Sequence, residues 1–268
     1  MEIQQDKFQD QIKMTHILVT NDDGVTAPGL IALVKALREL GDVSVLAPDR
    51  NWSASGHVKT LHRPLRVKEI QLSDGTTALT SDGAPSDCVA LAVLGVLKDI
   101  NLVVSGINPN ANVGHDVTYS GTVTAAMEAV IWGIPGLAVS LDSPENHLGV
   151  LDYAPAADYA RRVVEMMLEK KFPDDVVLNL NVPGQSLDEI KGLQVTRQGL
   201  RVYHDELLTR VDPRGVPYYW IGGDPPTGIP DQGTDFGALK AGYASLTPLN
   251  LDLTAADVLE KIRKNIST

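Results

Sequence analysis

Two adjacent carboxylates, Asp22 and Asp23, stand in the tetrapeptide Asn21-Asp22-Asp23-Gly24, directly after the apolar run His16-Ile17-Leu18-Val19-Thr20. That run reads as a buried parallel strand. The carboxylates then emerge at its carboxyl end, the edge where open α/β sheets bind ligands. Side chains alternate faces along a strand, so neighbouring aspartates diverge unless the backbone turns. Asn21 and Gly24 are residue types that permit a turn. Converging carboxylates repel each other unless a cation lies between them, and hard divalent ions prefer oxygen ligands. Two readings are open here: a metal site, or a solvated Asx-turn that caps a helix.

Two further loops carry polar groups that could join the first. Arg50-Asn51-Trp52-Ser53-Ala54-Ser55-Gly56-His57 offers Asn51, Ser53, Ser55 and His57. Ser105-Gly106-Ile107-Asn108 leads on to Asn110, Asn112, Asp116, Tyr119, Ser120, Gly121 and Thr122. Carboxylates, a hydroxyl and an amide oxygen make a coherent shell for Mg²⁺ or Mn²⁺, with water completing the octahedron. Ser120-Gly121-Thr122 opens a helix whose free N–H groups could hold a phosphate, although an ordinary N-cap serine reads the same way. The asparagines at 108, 110 and 112 read equally as turn residues, and His57 as a substrate contact or a solvated loop histidine. The other histidines discussed, His16, His62, His147 and His204, show no ligand spacing. No nucleophile elbow, Walker phosphate loop or dinucleotide fingerprint is present.

The elements that must position these loops alternate. After the first strand comes a helix with apolar Leu30, Ile31, Leu33, Val34, Leu37 and Leu40, with Pro28 in its first turn. Val43–Ala47 is the next strand, which makes a right-handed βαβ unit and a parallel sheet. A hairpin follows over 65–80, then a helix from Pro85 to Leu97 and a strand at Leu102–Val104. A helix over 121–132, a strand at 137–140, a helix over 156–170 and a strand at 176–180 continue the pattern. From Gly192 to Pro248 the alternation fails, and short β-like pieces, glycines, prolines and Tyr218-Tyr219-Trp220 read as a hairpin-built extension. Thr254 to Ile266 closes the chain as an amphipathic helix. The expected fold is α/β: a Rossmann-like, mostly parallel sheet with helices on both faces, plus a C-terminal hairpin-rich extension and terminal helix. The expected division is a core over 14–190 and an oligomerisation extension over 191–268.

The bulk numbers are those of an ordinary globular chain. Of 268 residues, 43% are hydrophobic and 21% charged, and the formal net charge is −11. Such a charge disfavours broad binding to duplex nucleic acid, yet a metal and oriented amides can reverse it locally for a small phosphorylated substrate. The lone Cys88 lies in an apolar run and reads as packing. Residues 1–13 are polar, read as a frayed extension and lack the apolar region of a signal peptide. No run approaches the ~20 residues that span a bilayer. The expected compartment is the cytoplasm.

Several long motifs, in order, closely resemble the SurE (survival protein E) nucleotidases. They are Asn21–Gly24 with Ala27-Pro28-Gly29, Ala47-Pro48-Asp49-Arg50-Asn51-Trp52-Ser53, and Ser105–Asn108. Asp116–Val123 with Ala125-Ala126-Met127-Glu128, and Gly233-Thr234-Asp235 with Gly242-Tyr243, complete the set. The resemblance implies a metal-dependent phosphatase acting on nucleoside 5′- and 3′-monophosphates, with short polyphosphate as a further substrate. It implies one Mg²⁺ or Mn²⁺ per subunit on Asp22, Asp23, Ser53 and Asn108, and catalysis through Asp22 and Asp23. The substrate- and phosphate-binding set is expected to be Asn21, Ser53, Ser55, Asn112, Ser120, Gly121 and Thr122. The resemblance further implies a homodimer or homotetramer built through the C-terminal region, its last helix open to exchange between subunits. Asn110 and His115 depart from the family pattern, which bears on loop shape and substrate preference.

The expected chemistry is attack of a metal-activated water on the phosphoryl group. A rival enzyme would use an aspartyl-phosphate, but that chemistry favours D-x-D spacing. A non-catalytic nucleotide or metal sensor would use the same residues.

Overall fold

Strand β1 (His16–Thr20) sends Ile17 and Val19 into one apolar layer and Leu18 into another, as a strand buried on both faces requires. The computed structural model describes residues 15–144, 147 and 149–266. The expected frayed segment and Met14, the expected start of the core, lie outside the described residues.

Helix α1 (Pro28–Leu37) begins with Pro28 in its first turn and buries Leu30, Leu33, Val34 and Leu37, the apolar stripe read from the spacing. There follow β2 (Asp42–Pro48), β3 (Val67–Gln71), β4 (Thr77–Ser81), α2 (Pro85–Leu91), β5 (Leu102–Asn108), α3 (Gly121–Ile131) and β6 (Gly136–Asp142). Next come α4 (Ala154–Leu168), β7 (Val177–Pro183), β8 (Leu193–Val195), β9 (Arg201–Val211) and β10 (Pro217–Gly228). Helix α5 (Asp235–Lys240), β11 (Ala244–Leu249) and α6 (Ala256–Ile266) end the described chain.

Nine strands form one sheet in the order β3-β4-β2-β1-β5-β6-β7-β11-β8. Its pairings are parallel except β3 on β4 and β11 on β7. Helices α1 and α4 pack on one face with the larger apolar cluster, and α2 and α3 cover the other. β1 pairs with β2 on one side and β5 on the other. The chain therefore reverses its winding between β1 and β5, and a crevice opens at their carboxyl ends.

Three expectations are corrected. The helix expected to reach Leu97 is α-helical only to Leu91, then passes into a π-helical stretch, Ala92–Val96, broken at Gly95. β5 continues to Asn108, so Ser105–Asn108 belong to a strand, where sequence suggested the start of a loop. The boundary at 190/191 does not divide the sheet: β8 and β11 join it, with Leu246 paired to both Leu180 and Val195. Short, interrupted strands carry little periodic signal, and only the pairing of β11 with β7 and of β8 with β11 reveals their place.

What does stand apart is the β9–β10 hairpin, a two-stranded sheet whose Leu207, Trp220 and Ile221 are exposed. Helix α6 buries no residue. Among the described residues no helix is long and apolar enough to cross a membrane.

Close packing of α1 on β5 depends on Gly29, where a Cβ would stand 2.2 Å from the Ile107 carbonyl oxygen. Gly29→Ala is expected to lower unfolding free energy by about 1–3 kcal/mol, read from a urea denaturation series.

Candidate active site

The turn after β1 is built by its own side chains. Asn21 Nδ2 donates to the Gly24 carbonyl at 3.0 Å, a bond from side chain to main chain that closes the turn but is not the expected Asx-turn, in which the side-chain oxygen accepts an amide, and Gly24 takes a positive φ of 104°. Asp22 is buried, and the Thr122 hydroxyl donates to its Oδ1 at 2.5 Å. Burial pushes the Asp22 carboxyl above its ordinary range, against the pull of Thr122 and of the amides opening α3. Asp23 is pushed up to about 7, first by burial and then by the charge of Asp22. The two carboxylates crowd each other, and a cation between them would relieve both.

Gly121 makes this approach possible, since a Cβ there would lie 2.7 Å from Asp22 Cβ. The helix start expected to hold phosphate also donates to Asp22, while Ser120 lines the cavity. Thr122 is fully buried on that carboxylate, and Ser120 Oγ accepts from the Val123 amide at 3.1 Å as an N-cap. One helix N-terminus offers few free amides, and a carboxylate at hand takes some of them.

Hydrogen bonds stitch the three loops together. The Trp52 amide donates to the Asp22 carbonyl at 2.7 Å, and the Gly56 amide to the Tyr119 carbonyl at 2.9 Å. Thr124 Oγ1 donates to the Gly56 carbonyl at 3.1 Å. Ser53, whose amide donates to Asn51 Oδ1, is thereby carried to the rim occupied by the aspartates. Asn108 Nδ2 donates to the Asn110 carbonyl at 2.5 Å, which turns the amide so that its oxygen is free to meet a cation.

Asp22, Asp23, Ser53 and Asn108 share one open cavity of about 360 Å³, together with Asn110, Asn112, Asp116, Tyr119, Ser120 and Arg201. The four residues expected to hold a metal are therefore brought together. Their set is two carboxylates and two neutral oxygens. Among the described residues no cluster of three or more His, Cys, Asp or Glu is poised for a metal. That donor chemistry matches a hard ion such as Mg²⁺ or Mn²⁺.

Of the rest of the expected set, Asn112 and Ser120 line the same cavity. Asn21 and Ser55 do not line the cavity; Asn21 Oδ1 and Ser55 Oγ are buried without partners in the structure. Asn112 lines it but is anchored: its amide donates to Asn181 Oδ1, its carbonyl accepts from Asn179 and Asn181, and its Nδ2 donates to Ser140. Its main duty is to fix the third loop on β6 and β7. His57 points away from the cavity, with Nε2 2.8 Å from Glu128 Oε2. Of the two departures from the family pattern, Asn110 lies in the cavity wall and supplies the carbonyl that orients Asn108.

Three contributors escaped the sequence reading. Arg201, at the root of β9, joins the wall and pairs with Asp116 at 2.8 Å. Tyr203 donates to the other Asp116 oxygen at 2.8 Å, and burial and that carboxylate push its phenol up to about 12. No local spacing links β9 to the site, so only the fold could find them. The third contributor is Glu128, present in a motif but without an assigned role. Its side chain is 5% exposed and meets His57 and Lys59 and the Trp132 indole N–H at 2.9 Å. Burial pushes the Glu128 carboxyl up, but His57, Trp132 and Lys59 outweigh it and hold it at about 2.

Glu128 thus clamps the loop that carries Ser53. Its folded value lies below the ordinary 4.5, so its stabilisation is complete above pH 4.5 and drains away as pH falls toward about 2. Glu128→Gln is expected to cost about 1–3 kcal/mol at neutral pH. The gap between the two proteins should close through that acid window in urea denaturation.

Comparison with known proteins follows the same lines. The family model described as Survival protein SurE matches residues 17–205. The 5′-nucleotidase SurE of Herpetosiphon aurantiacus is 52% identical over 248 residues, covering 92% of this chain and 96% of that protein. Its namesake in Chloroflexus aggregans is 52% identical over 250 residues, 93% and 98% of the two chains. The crystal structure of the SurE protein from Aquifex aeolicus superposes with a TM-score of 0.78 at 40% identity, covering 94% of this chain and 99% of that one. Sequence match, identity and shared fold agree: the chain belongs to the SurE family.

Proposed function

We propose that the chain is a 5′-nucleotidase that hydrolyses nucleoside monophosphates to nucleoside and phosphate, using one Mg²⁺ or Mn²⁺ per subunit. Action on 3′-monophosphates and short polyphosphate belongs to the same reading. The observation that carries it is the crowding of Asp22 and Asp23 in one cavity with the oxygens of Ser53 and Asn108. A phosphate dianion entering that cavity would face two carboxylates, so productive binding calls for a cation among these four side chains. When bound, the ion supplies positive charge at the phosphoryl oxygens and acidifies water.

The chain's own residues do the rest. Thr122 and the start of α3 hold Asp22 still, and the Asn110 carbonyl aims Asn108, so the ion's ligands are set before substrate arrives. Asp22 is committed to Thr122, which leaves Asp23 as the carboxylate to accept a proton from the attacking water. That commitment also counts against Asp22 as a covalent nucleophile. Ser53 and Ser120, on opposite loops of the cavity, orient the phosphoryl group.

The exposed apolar hairpin and unburied α6 support an assembly of copies, a homodimer or homotetramer, with α6 open to exchange between subunits. A single buried cysteine without a disulfide fits a reducing cytoplasm.

Phosphate release from nucleoside monophosphates is expected with Mg²⁺ or Mn²⁺ and none with EDTA. Release that survives EDTA would refute the metal reading. Asp22→Asn should cut turnover by at least about a hundredfold while the thermal midpoint holds; near-normal turnover would be incompatible with this assignment. For the assembly, Ile221→Asp, at a position 81% exposed, should shift light-scattering mass toward a smaller species, and an unchanged mass would exclude the hairpin as an interface.

A further inference from the structure

The segment 56–60 leaves the second loop without helix or strand, yet two buried carboxylates serve it. Its side chains His57 and Lys59 meet Glu128 on α3 at 2.8 and 3.3 Å. Its other contacts are with α2. Ser86 Oγ donates to the Val58 carbonyl, and the Thr60 amide and hydroxyl donate to Asp87 at 2.8 and 2.7 Å. Residues two apart share a face in an extended chain, so this alternation is that of a strap laid against two helices. Both carboxylates are buried, and groups so far from water are costly unless bonded. Asp87 has a second duty, since it also caps α2 through the Ala84 amide. Glu128, inside α3, has no helix end to cap; its remaining bond is to the Trp132 indole.

What the strap holds is one end of the stretch that carries Ser53. At the other end the Trp52 amide is bound to the Asp22 carbonyl. On the strap side the Gly56 amide and carbonyl are bound to Tyr119 and Thr124, and the contacts to Glu128 and Asp87 follow at once. Only Ser53, Ala54 and Ser55 lie between, and Ala54 takes a positive φ of 57°. A residue with a Cβ adopts that conformation at a cost, and keeps it where the surroundings over-determine it. Ser53 and Ala54 both line the aspartate cavity. The position of the Ser53 hydroxyl therefore depends on both ends being held.

We infer that Glu128 is a positioning residue for the cation site: through His57 and Lys59 it moors the strap, and the strap holds Ser53 at the cavity in advance of the ion. The inference rests on the metal reading above. Glu128 touches neither ion nor substrate. It acts by reducing the freedom that Ser53 gives up on binding, and ligands fixed by their supporting contacts bind a metal more tightly than ligands that must be gathered.

The test is Mn²⁺ binding followed by calorimetry, beside the Mg²⁺ concentration that half-activates phosphate release from adenosine 5′-monophosphate. Glu128→Gln and His57→Ala should each weaken Mn²⁺ binding by about tenfold, the lower end of what lost support around metal ligands costs. The Mg²⁺ requirement should rise in step, with turnover recovering as Mg²⁺ is raised. His57→Gln, whose amide can still donate to Glu128, should bind Mn²⁺ more tightly than His57→Ala. Should Glu128→Gln not fold, His57→Ala decides, because His57 is exposed. Mn²⁺ binding within about twofold of the wild type in the folded variants, whatever their thermal midpoints, would overturn the inference and leave Glu128 a purely structural clamp. A wild type that binds no Mn²⁺ would instead bring down the metal reading, and the role of the strap with it.

Discussion

The burial of Asp22 at the end of β1, against the first turn of α3, is the constraint on which the rest of the site depends. A carboxylate with so little water needs donors or a counter-charge. Thr122 and the helix amides provide the former, and Asp23 beside it creates a demand for the latter. Gly121 is the condition for that approach, since any side chain there would collide with Asp22. The topology decides where the pair sits: β1 and β5 flank the point at which the winding reverses, so Asp22 and Asn108 leave adjacent strands into one crevice.

Around that pair the molecule invests in fixing loops. The second loop is tied to Asp22 through Trp52, to the third through Gly56, and to α3 through His57 and Lys59 on Glu128. Thr60 adds hydrogen bonds from its amide and hydroxyl to Asp87 at the start of α2. The third loop rests on Asn179 and Asn181, buried polar residues on β7 whose amides serve the main chain of Asn112. Both Nδ2 groups converge on the Asn112 carbonyl, which specifies one loop conformation. The supporting side chains are thus as much part of the site as the residues that line it.

The C-terminal third is divided between two tasks. β8, α5 and β11 complete the sheet and brace the third loop through Asp235, whereas β9–β10 and α6 present apolar surface outward. The hairpin is nonetheless anchored at its root, where Arg201 and Tyr203 grip both oxygens of Asp116. The arm is thus fixed at the site by its base while Leu207, Trp220 and Ile221 farther along it are exposed.

The sequence by itself determined the alternating α/β core, the strand-end position of Asp22 and Asp23, and the grouping of Ser53 and Asn108 with them. These follow from local periodicity and turn chemistry, and from motifs whose order along the chain survives without any knowledge of packing. Ser120 was legible as an N-cap, but what the helix start faces was not. Which partner a helix N-terminus takes depends on what lies in front of it in space, and Asp22 is 100 residues away in the chain. The tertiary structure alone decided that His57 serves Glu128, that Asn112 is an anchor, that Arg201 walls the cavity and that β11 lies beside β7. Each of these is a pairing between distant segments. Side-chain hydrogen bonds and strand neighbours of that kind leave no period in the sequence, because they are fixed only when the sheet brings the loops to one edge.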